Sequence, residues 1–405
     1  MSGSATRGIA LIAIVTGCAT TALQGQTRPT IVLTRGALEY PDAFTRISQL
    51  VELRDGRVLL LDSGEGALFA VDLARKRSSK VSRQGGGPLE YRAPGLLLGG
   101  GADTLLYYDL MQGRFLLLSA SAVPLGTERF GNNDAEATLS GMTPSAMDAR
   151  GRVYGITSGF SMGAAGGKNG SLFTLADTVE VQRLDRKSGR RVTVTRLRNA
   201  ATQMKPRVEP SGGGMKLTVT APDGQATDAW TVLGDGRVAV LRDGIYRVRF
   251  VTDAGRDVPG PVIPYQSVPI TAAERKAIVD SVRTGMERSI AATRKAIGAS
   301  GSASGKAPVQ FGIVVLEPAR WAANKPAYTG ITASPDGVLW VSLAGRTGSR
   351  VQRFDVLNGS GALVAHVQLA EGESLAGWGR GTIYTIRTDE DDLQYLRRYS
   401  LPPLK

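Results

Sequence analysis

The chain has 405 residues, 42% hydrophobic and 21% charged, a balance ordinary for a soluble globular protein with ample material for a core. Its formal net charge of +13 accommodates acidic partners more easily than basic ones. The only cysteine is Cys18, which excludes an internal disulfide, so stability has to come from burial and from the way the chain closes on itself.

The first segment carries Arg7, then the apolar stretch Ile9 to Val15, then Thr16, Gly17 and Cys18. A positive start followed by an apolar run too short to span a bilayer reads as an export signal. Val15-Thr16-Gly17-Cys18 also resembles a bacterial lipobox, which implies cleavage before Cys18 and lipid attachment to its sulfur. The alternative is an ordinary signal running through Ala19 to Gln24, and residues 1–26 are assigned to the signal in either case. No later segment approaches the roughly 20 uninterrupted apolar residues of a spanning helix. The remainder is expected in the periplasm or cell envelope, tethered if Cys18 is lipidated.

From there a tight turn leads six times into an apolar run of β character. The units are Asp55-Gly56-Arg57 into Val58, Ala102-Asp103-Thr104 into Leu105, Arg150-Gly151-Arg152 into Val153, Asp235-Gly236-Arg237 into Val238, Asp336-Gly337 into Val338, and Arg380-Gly381-Thr382 into Ile383. Their spacing is about 44 to 48 residues except for two wide gaps, a period that suits one four-stranded propeller blade. A softer strand precedes each turn, as in Ile47 to Leu53 and Thr329 to Ala333. An alternating strand follows, as in Ala67 to Val71 and Val351 to Phe354. A fourth is clearest in Arg191 to Arg196 and Leu363 to Leu369. The expected fold is all-β: a six-bladed β-propeller of four-stranded blades over residues 27–405. The last unit lacks a fourth strand, and Ile31 to Thr34 has no blade of its own. The N-terminal strand is therefore expected to complete the last blade and close the ring, removing open sheet edges.

Three insertions interrupt the repeat, at 158–178, 199–228 and 265–326. In an up-and-down meander the second-to-third loops and the blade-to-blade loops share one end of the strands, so all three are expected on one face. Loops elaborated over a rigid scaffold commonly carry function. The third insertion holds the one good helix, with a capping box at Thr271 and Glu274 and a stripe of Ile278, Val282, Met286, Ile290 and Ile297. It should run from Ala272 to just before Gly298 and give way to the flexible stretch 298–306.

Between the first two units lies Arg83-Gln84-Gly85-Gly86-Gly87-Pro88-Leu89-Glu90-Tyr91-Arg92. It resembles the motif R-x-G-x-G-P-G-E-[FY] of bacterial exported six-bladed propellers of the NHL-like and TolB-like kind, with Leu89 where that group usually has glycine. Pro326-Ala327-Tyr328 and Pro335 to Val341 resemble the same group's late blades. The resemblance spans roughly residues 30 to 400 and implies the fold more strongly than any activity. Three glycines and a proline let the backbone pass tightly between blades, and the same stretch could form a nest of amides for an anion with Arg83 and Arg92 alongside. Glu90 could equally pair with Arg83 or cap amides.

Other chemistry is thinly supported. The single histidine, His366, falls on an expected outermost strand, so no Ser-His-Asp triad or histidine zinc site is assigned. Asp389-Glu390-Asp391-Asp392 could attract Ca²⁺ but lacks EF-hand spacing, and no metal ligand or other cofactor is assigned. Six-bladed lactonases resembling gluconolactonase hold a metal with acidic and amide side chains around the channel, and no motif here assigns such ligands. Residues 183 to 216 are rich in Lys and Arg, without the interleaved aromatics of a nucleic-acid binder. The expectation is a binding module for a protein or an anionic envelope ligand, with Arg83, Glu90, Tyr91 and Arg92 as candidate contacts. The alternatives are a metal-dependent lactonase-like hydrolase and a structural envelope protein.

Overall fold

The repeated turn is built as its sequence requires. Gly56, Gly151, Gly236, Gly337 and Gly381 all take positive φ, between 61° and 90°, where a side chain would be strained. In the computed structural model, residues 28–403 are described apart from 34–36, 93–94, 100–103, 110, 130–140, 163–172, 187, 212–213, 300–310 and 346–348. The signal segment with Cys18, the turn at 102–103 and most of the stretch 298–306 lie outside the described residues.

Among the described residues the chain is all-β with one long helix, Ala272–Ala299. Four sheets are simple four-stranded meanders. The first holds Ile47–Glu52, Val58–Asp62, Ala67–Asp72 and Arg77–Lys80. The second holds Leu96–Leu98, Thr104–Asp109, Arg114–Ser119 and Pro124–Arg129. The third holds Met142–Met147, Val153–Thr157, Thr178–Leu184 and Arg191–Arg198. The fourth holds Ala229–Val232, Val238–Leu241, Arg249–Val251 and Asp257–Pro259.

The last two sheets also recruit the N-terminal segment. The fifth contains Gly330–Ala333, Leu339–Ser342, Arg353–Leu357 and Leu363–Gln368, with Thr30–Val32 added outside in parallel. The sixth contains Glu373–Gly379, Thr382–Thr388 and Gln394–Ser400, completed by Leu38–Glu39 in antiparallel pairing. The strand expected to complete the last blade is thus replaced. Ile31 pairs with Val367 of the fifth sheet, and the last sheet is completed by the two residues Leu38 and Glu39. Leu33 and Ile31 pack into the cluster between the fifth and sixth sheets, and the charge of Glu39 is met in the sixth. Glu39 accepts from Arg387 Nη2 at 2.9 Å and also binds Arg397, whose other arm reaches the buried Glu373 at 2.5 Å.

Alternation decides which neighbour each sheet packs on, because successive side chains of a strand point to opposite faces. Leu59 and Leu61 pack with Tyr107, Leu116 and Leu118 of the second sheet, whereas Val58 and Leu60 pack with Tyr384, Ile386 and Leu396 of the sixth. Similar buried clusters join the second sheet to the third, the third to the fourth, the fourth to the fifth and the fifth to the sixth. Between the sixth and first sheets, the Glu52 carboxylate also accepts from Arg380 N, Thr382 Oγ1 and Tyr384 OH at 3.1, 2.9 and 2.5 Å. Gln394 Oε1 accepts from Ile47 N at 2.7 Å.

Glu39 gives this architecture a pH signature. The Arg387 hydrogen bonds, opposed by partial burial and reinforced by Arg397, hold its carboxyl below the usual glutamate value. Its contribution is therefore full above the ordinary carboxylate range and is lost as pH falls through the depressed folded value. Because Glu39 is partly exposed, Glu39→Gln should cost only about 1 kcal/mol near neutrality. It should also flatten the acid limb of stability against pH in chemical denaturation. An unchanged acid limb would remove Glu39 as the anchor.

Candidate functional site

The loop 83–92 is a self-bound crossover between the first and second sheets. Arg83 Nε donates to Glu90 Oε1 at 2.5 Å, and Glu90 Oε2 accepts from Gly87 N at 2.8 Å. These two contacts, the amide first, hold the Glu90 carboxyl below its usual value. Gly85 N donates to Tyr91 O at 2.9 Å. Arg114 of the second sheet donates to the carbonyls of Gly87 and Glu90 at 2.7 and 3.0 Å, so these oxygens converge on a cation, which is unlike a nest of amides for an anion. Tyr91 is 1% exposed, stands edge-on to Tyr107, and accepts at its hydroxyl from Leu68 N at 3.2 Å. Arg92 N donates to the buried Asp109 carboxylate at 2.7 Å, while its side chain is exposed.

Arg83, Glu90 and Tyr91 do come together, in the wall of an open cleft of about 650 Å³ with Glu65, Lys80 and Gln84. Arg92 is not in that wall. The charges there are matched, Lys80 with Glu65 at 3.4 Å and Arg83 with Glu90. The basic stretch 183–216 is similarly spent in part. Arg183 meets Asp253 at 2.6 Å, Arg196 meets Glu180 at 2.9 Å, and Arg198 meets Asp228 at 3.1 Å. At 389–392, the Asp389 carboxylate accepts from Asp391 N and Leu393 N at 3.0 and 2.9 Å, capping its own turn. Among the described residues no group of three or more His, Cys, Asp or Glu is placed to hold a metal ion.

A second cleft, of about 250 Å³, lies where the fourth and fifth sheets meet. Its floor is set by one hairpin. Asn358 closes the turn with its side chain, accepting from Ser360 N and Ala362 N at 3.1 and 3.0 Å. The resulting register places Asp355 opposite His366 and Arg353 opposite Gln368. Arg353 and Asp355, two apart on one strand, therefore share a face with His366.

Asp355 is 4% exposed and is bound from two sides, by Tyr246 OH and by His366 Nδ1, each at 2.6 Å. Burial, and then the Asp355 charge, push the Tyr246 hydroxyl far above its usual value, so it remains a donor. The carboxylate orients the imidazole through Nδ1, and the ring, 41% exposed, has Nε2 as its second polar atom. Tyr265 stands edge-on to Tyr246 and forms an aromatic wall. Lys325 is engaged with the Gly345 carbonyl at 2.6 Å and with Glu274. The Arg353 guanidinium, in the same lining, has no counter-ion among the described residues.

Sequence reasoning set His366 aside as an edge residue. The structure covers its strand with Thr30–Val32, pairing Thr30 with His366, and brings Asp355 to the ring. The available signal was Arg353-x-Asp355 read together with the Asn358 turn, which fixes the pairing across the hairpin.

No family model and no curated protein matches the chain. Solved structures do resemble it in outline. A member of the duf4221 family from Bacteroides vulgatus has 8% identity over 91% of this chain and 98% of its own, at a TM-score of 0.48. A gluconolactonase from Xanthomonas campestris has 9% identity over 90% and 92%, at 0.41. A calcium-binding regucalcin from Agrobacterium tumefaciens has 11% identity over 93% and 99%, at 0.39. None of them assigns a role to a residue of this chain.

The crossover loop makes a sharp prediction. A Cβ on Gly85 would lie 2.0 Å from Glu90 Oε2, so Gly85→Ala should displace that carboxylate from both Arg83 and the Gly87 amide and lower stability. Arg83, 85% exposed in its pairing with Glu90, should have the smaller effect as Arg83→Ala, because the Gly87 amide contact remains. Equal effects in thermal unfolding would contradict this division of roles.

Proposed function

We propose that the six sheets are blades of a closed six-bladed β-propeller, exported to the cell envelope, that binds a protein or anionic ligand through its loop-rich face. The supporting observation is that the three insertions come together. Gly214–Thr220 of the second insertion pairs in parallel with Phe311–Leu316 of the third, from Met215 opposite Phe311 to Thr220 opposite Leu316. The helix Ala272–Ala299 packs against that added layer. Asn199, heading the second insertion, donates from its side chain to the carbonyls of Gly159 and Ala176 at either foot of the first, at 3.2 and 2.9 Å. A scaffold that spends this much chain on one end of its strands presents a recognition surface there.

In this reading Arg83 and Arg92 mark one edge of the face, and Cys18 carries the lipid that holds the domain at a membrane. Among the described residues no helix is long and apolar enough to cross one. The lactonase-like alternative has no observation in its favour among the described residues.

Capture with the tagged mature domain tests the face. Arg83→Glu with Arg92→Glu should abolish recovery of the envelope partner, whereas Lys76→Glu, in a turn at the opposite end of the strands, should leave it intact. Equal recovery from both variants would sink the assignment. The anchor is tested by fractionation: Cys18→Ser should move the protein from the membrane to the soluble fraction, and unchanged fractionation would argue against lipidation.

A further inference from the structure

We infer that the cleft between the fourth and fifth sheets is a binding site for a small hydroxycarboxylate. The carboxylate would lie on Arg353 and the hydroxyl on Nε2 of His366. The inference stands apart from whether the loop-rich face captures a protein, since it rests on the side chains of this cleft alone.

Three observations carry it. The first is the uncompensated cation. Lys325, the other cation of the cleft, is held by Glu274 and the Gly345 carbonyl, whereas Arg353 has no carboxylate partner among the described residues. A guanidinium fork in a recessed wall matches a carboxylate with two parallel hydrogen bonds. Asp355 makes no ion pair with it: its two oxygens are turned to Tyr246 and His366.

The second observation is the fixed imidazole. Asp355 is nearly fully buried and grips Nδ1, so the ring is oriented and its remaining nitrogen is left to bond a ligand. A fixed imidazole nitrogen beside a cation discriminates among anions: it favours a carboxylate that also carries a hydroxyl, which can donate or accept there. Arg353 and His366 sit diagonally on adjacent strands, a separation of roughly 7–8 Å between backbones that one small molecule can bridge.

The third observation is the enclosure. Tyr265 provides an aromatic wall, and Pro326, Ala327 and Leu343 complete an apolar surround of about 250 Å³. That volume lies below the range typical of drug-sized ligands and suits an acid with one ring or a short chain. Tyr265, Gln266 and Val268 at one foot of the insertion 265–326, and Lys325 and Pro326 at the other, line the cleft.

The chain has one histidine, so every imidazole resonance in an NMR spectrum reports on this site. The probe is mandelate, with phenylacetate as its counterpart lacking the hydroxyl. Mandelate should shift the His366 ring signals saturably and give a measurable Kd by calorimetry. Phenylacetate should bind about tenfold more weakly, the equivalent of one hydrogen bond to a polar site. Arg353→Gln should weaken mandelate by tenfold or more, from the loss of a charge-assisted pair. Because Arg353 lies at the cleft wall, retention of the wild-type ring signals in the unliganded variant would show that the fold is intact. Equal affinity for the two acids would overturn the role of His366. Undiminished binding by Arg353→Gln would overturn the role of Arg353. Unshifted ring signals with both acids would overturn the site, whatever partner capture showed.

Discussion

The contact between the sixth and first sheets is the constraint on which the rest depends. It joins residues more than 300 positions apart in the chain, such as Glu52 and Tyr384, which makes it the most costly contact to form in loop-closure entropy. Two kinds of interaction offset that cost. Leu50, Val58 and Leu60 share a buried cluster with Tyr384, Ile386 and Leu396, and Gly377 leaves room for Leu50 because a Cβ there would come within 2.8 Å of it. The Glu52 carboxylate then satisfies an amide and two hydroxyls of the neighbouring sheet. In the proposed ring, this contact gives each sheet a packed neighbour on both sides. The hairpin that carries Asp355 is then held at a fixed distance from Tyr246 of the fourth sheet's segment.

Much of this was legible in the sequence, and the reasons are local. A turn that needs positive φ selects glycine, and an apolar run follows because the second strand of each sheet is covered on both faces. Val58–Asp62 and Val238–Leu241 are buried at every position. The helix followed from its capping box, and Thr271 and Glu274 do bind each other, the Thr271 amide donating to Glu274 at 2.9 Å. The last strand of the sixth sheet was misassigned: Ile31 to Thr34 was expected there and Leu38–Glu39 is found. Ile31 to Thr34 has the better β pattern, but Ile31 and Leu33 pack between the fifth and sixth sheets, and the contacts of Glu39 depend on Arg387 and Arg397 being brought alongside.

The site was harder to read for the same reason. The loop 83–92 carries a visible motif, yet its glycines serve a tight passage, with the Glu90 carboxylate folded back onto them. The motif thus accounts for contacts within the loop. His366, by contrast, stands in an unremarkable strand, and its neighbours Asp355 and Tyr246 are 11 and 120 residues away in sequence. Their meeting needs a hairpin register and a contact between sheets, neither of which any local pattern encodes.

The proposed ring is tested most directly by a distance across its join. Spin labels at Arg54→Cys and Arg380→Cys, in a Cys18→Ser background, sit in equivalent turns of the first and sixth sheets, next to the Arg380 N contact with Glu52. A short, narrow distance distribution that persists up to global unfolding is the predicted result. A long or broad distribution in the native protein would contradict the closing contact and, with it, the fixed geometry of the cleft.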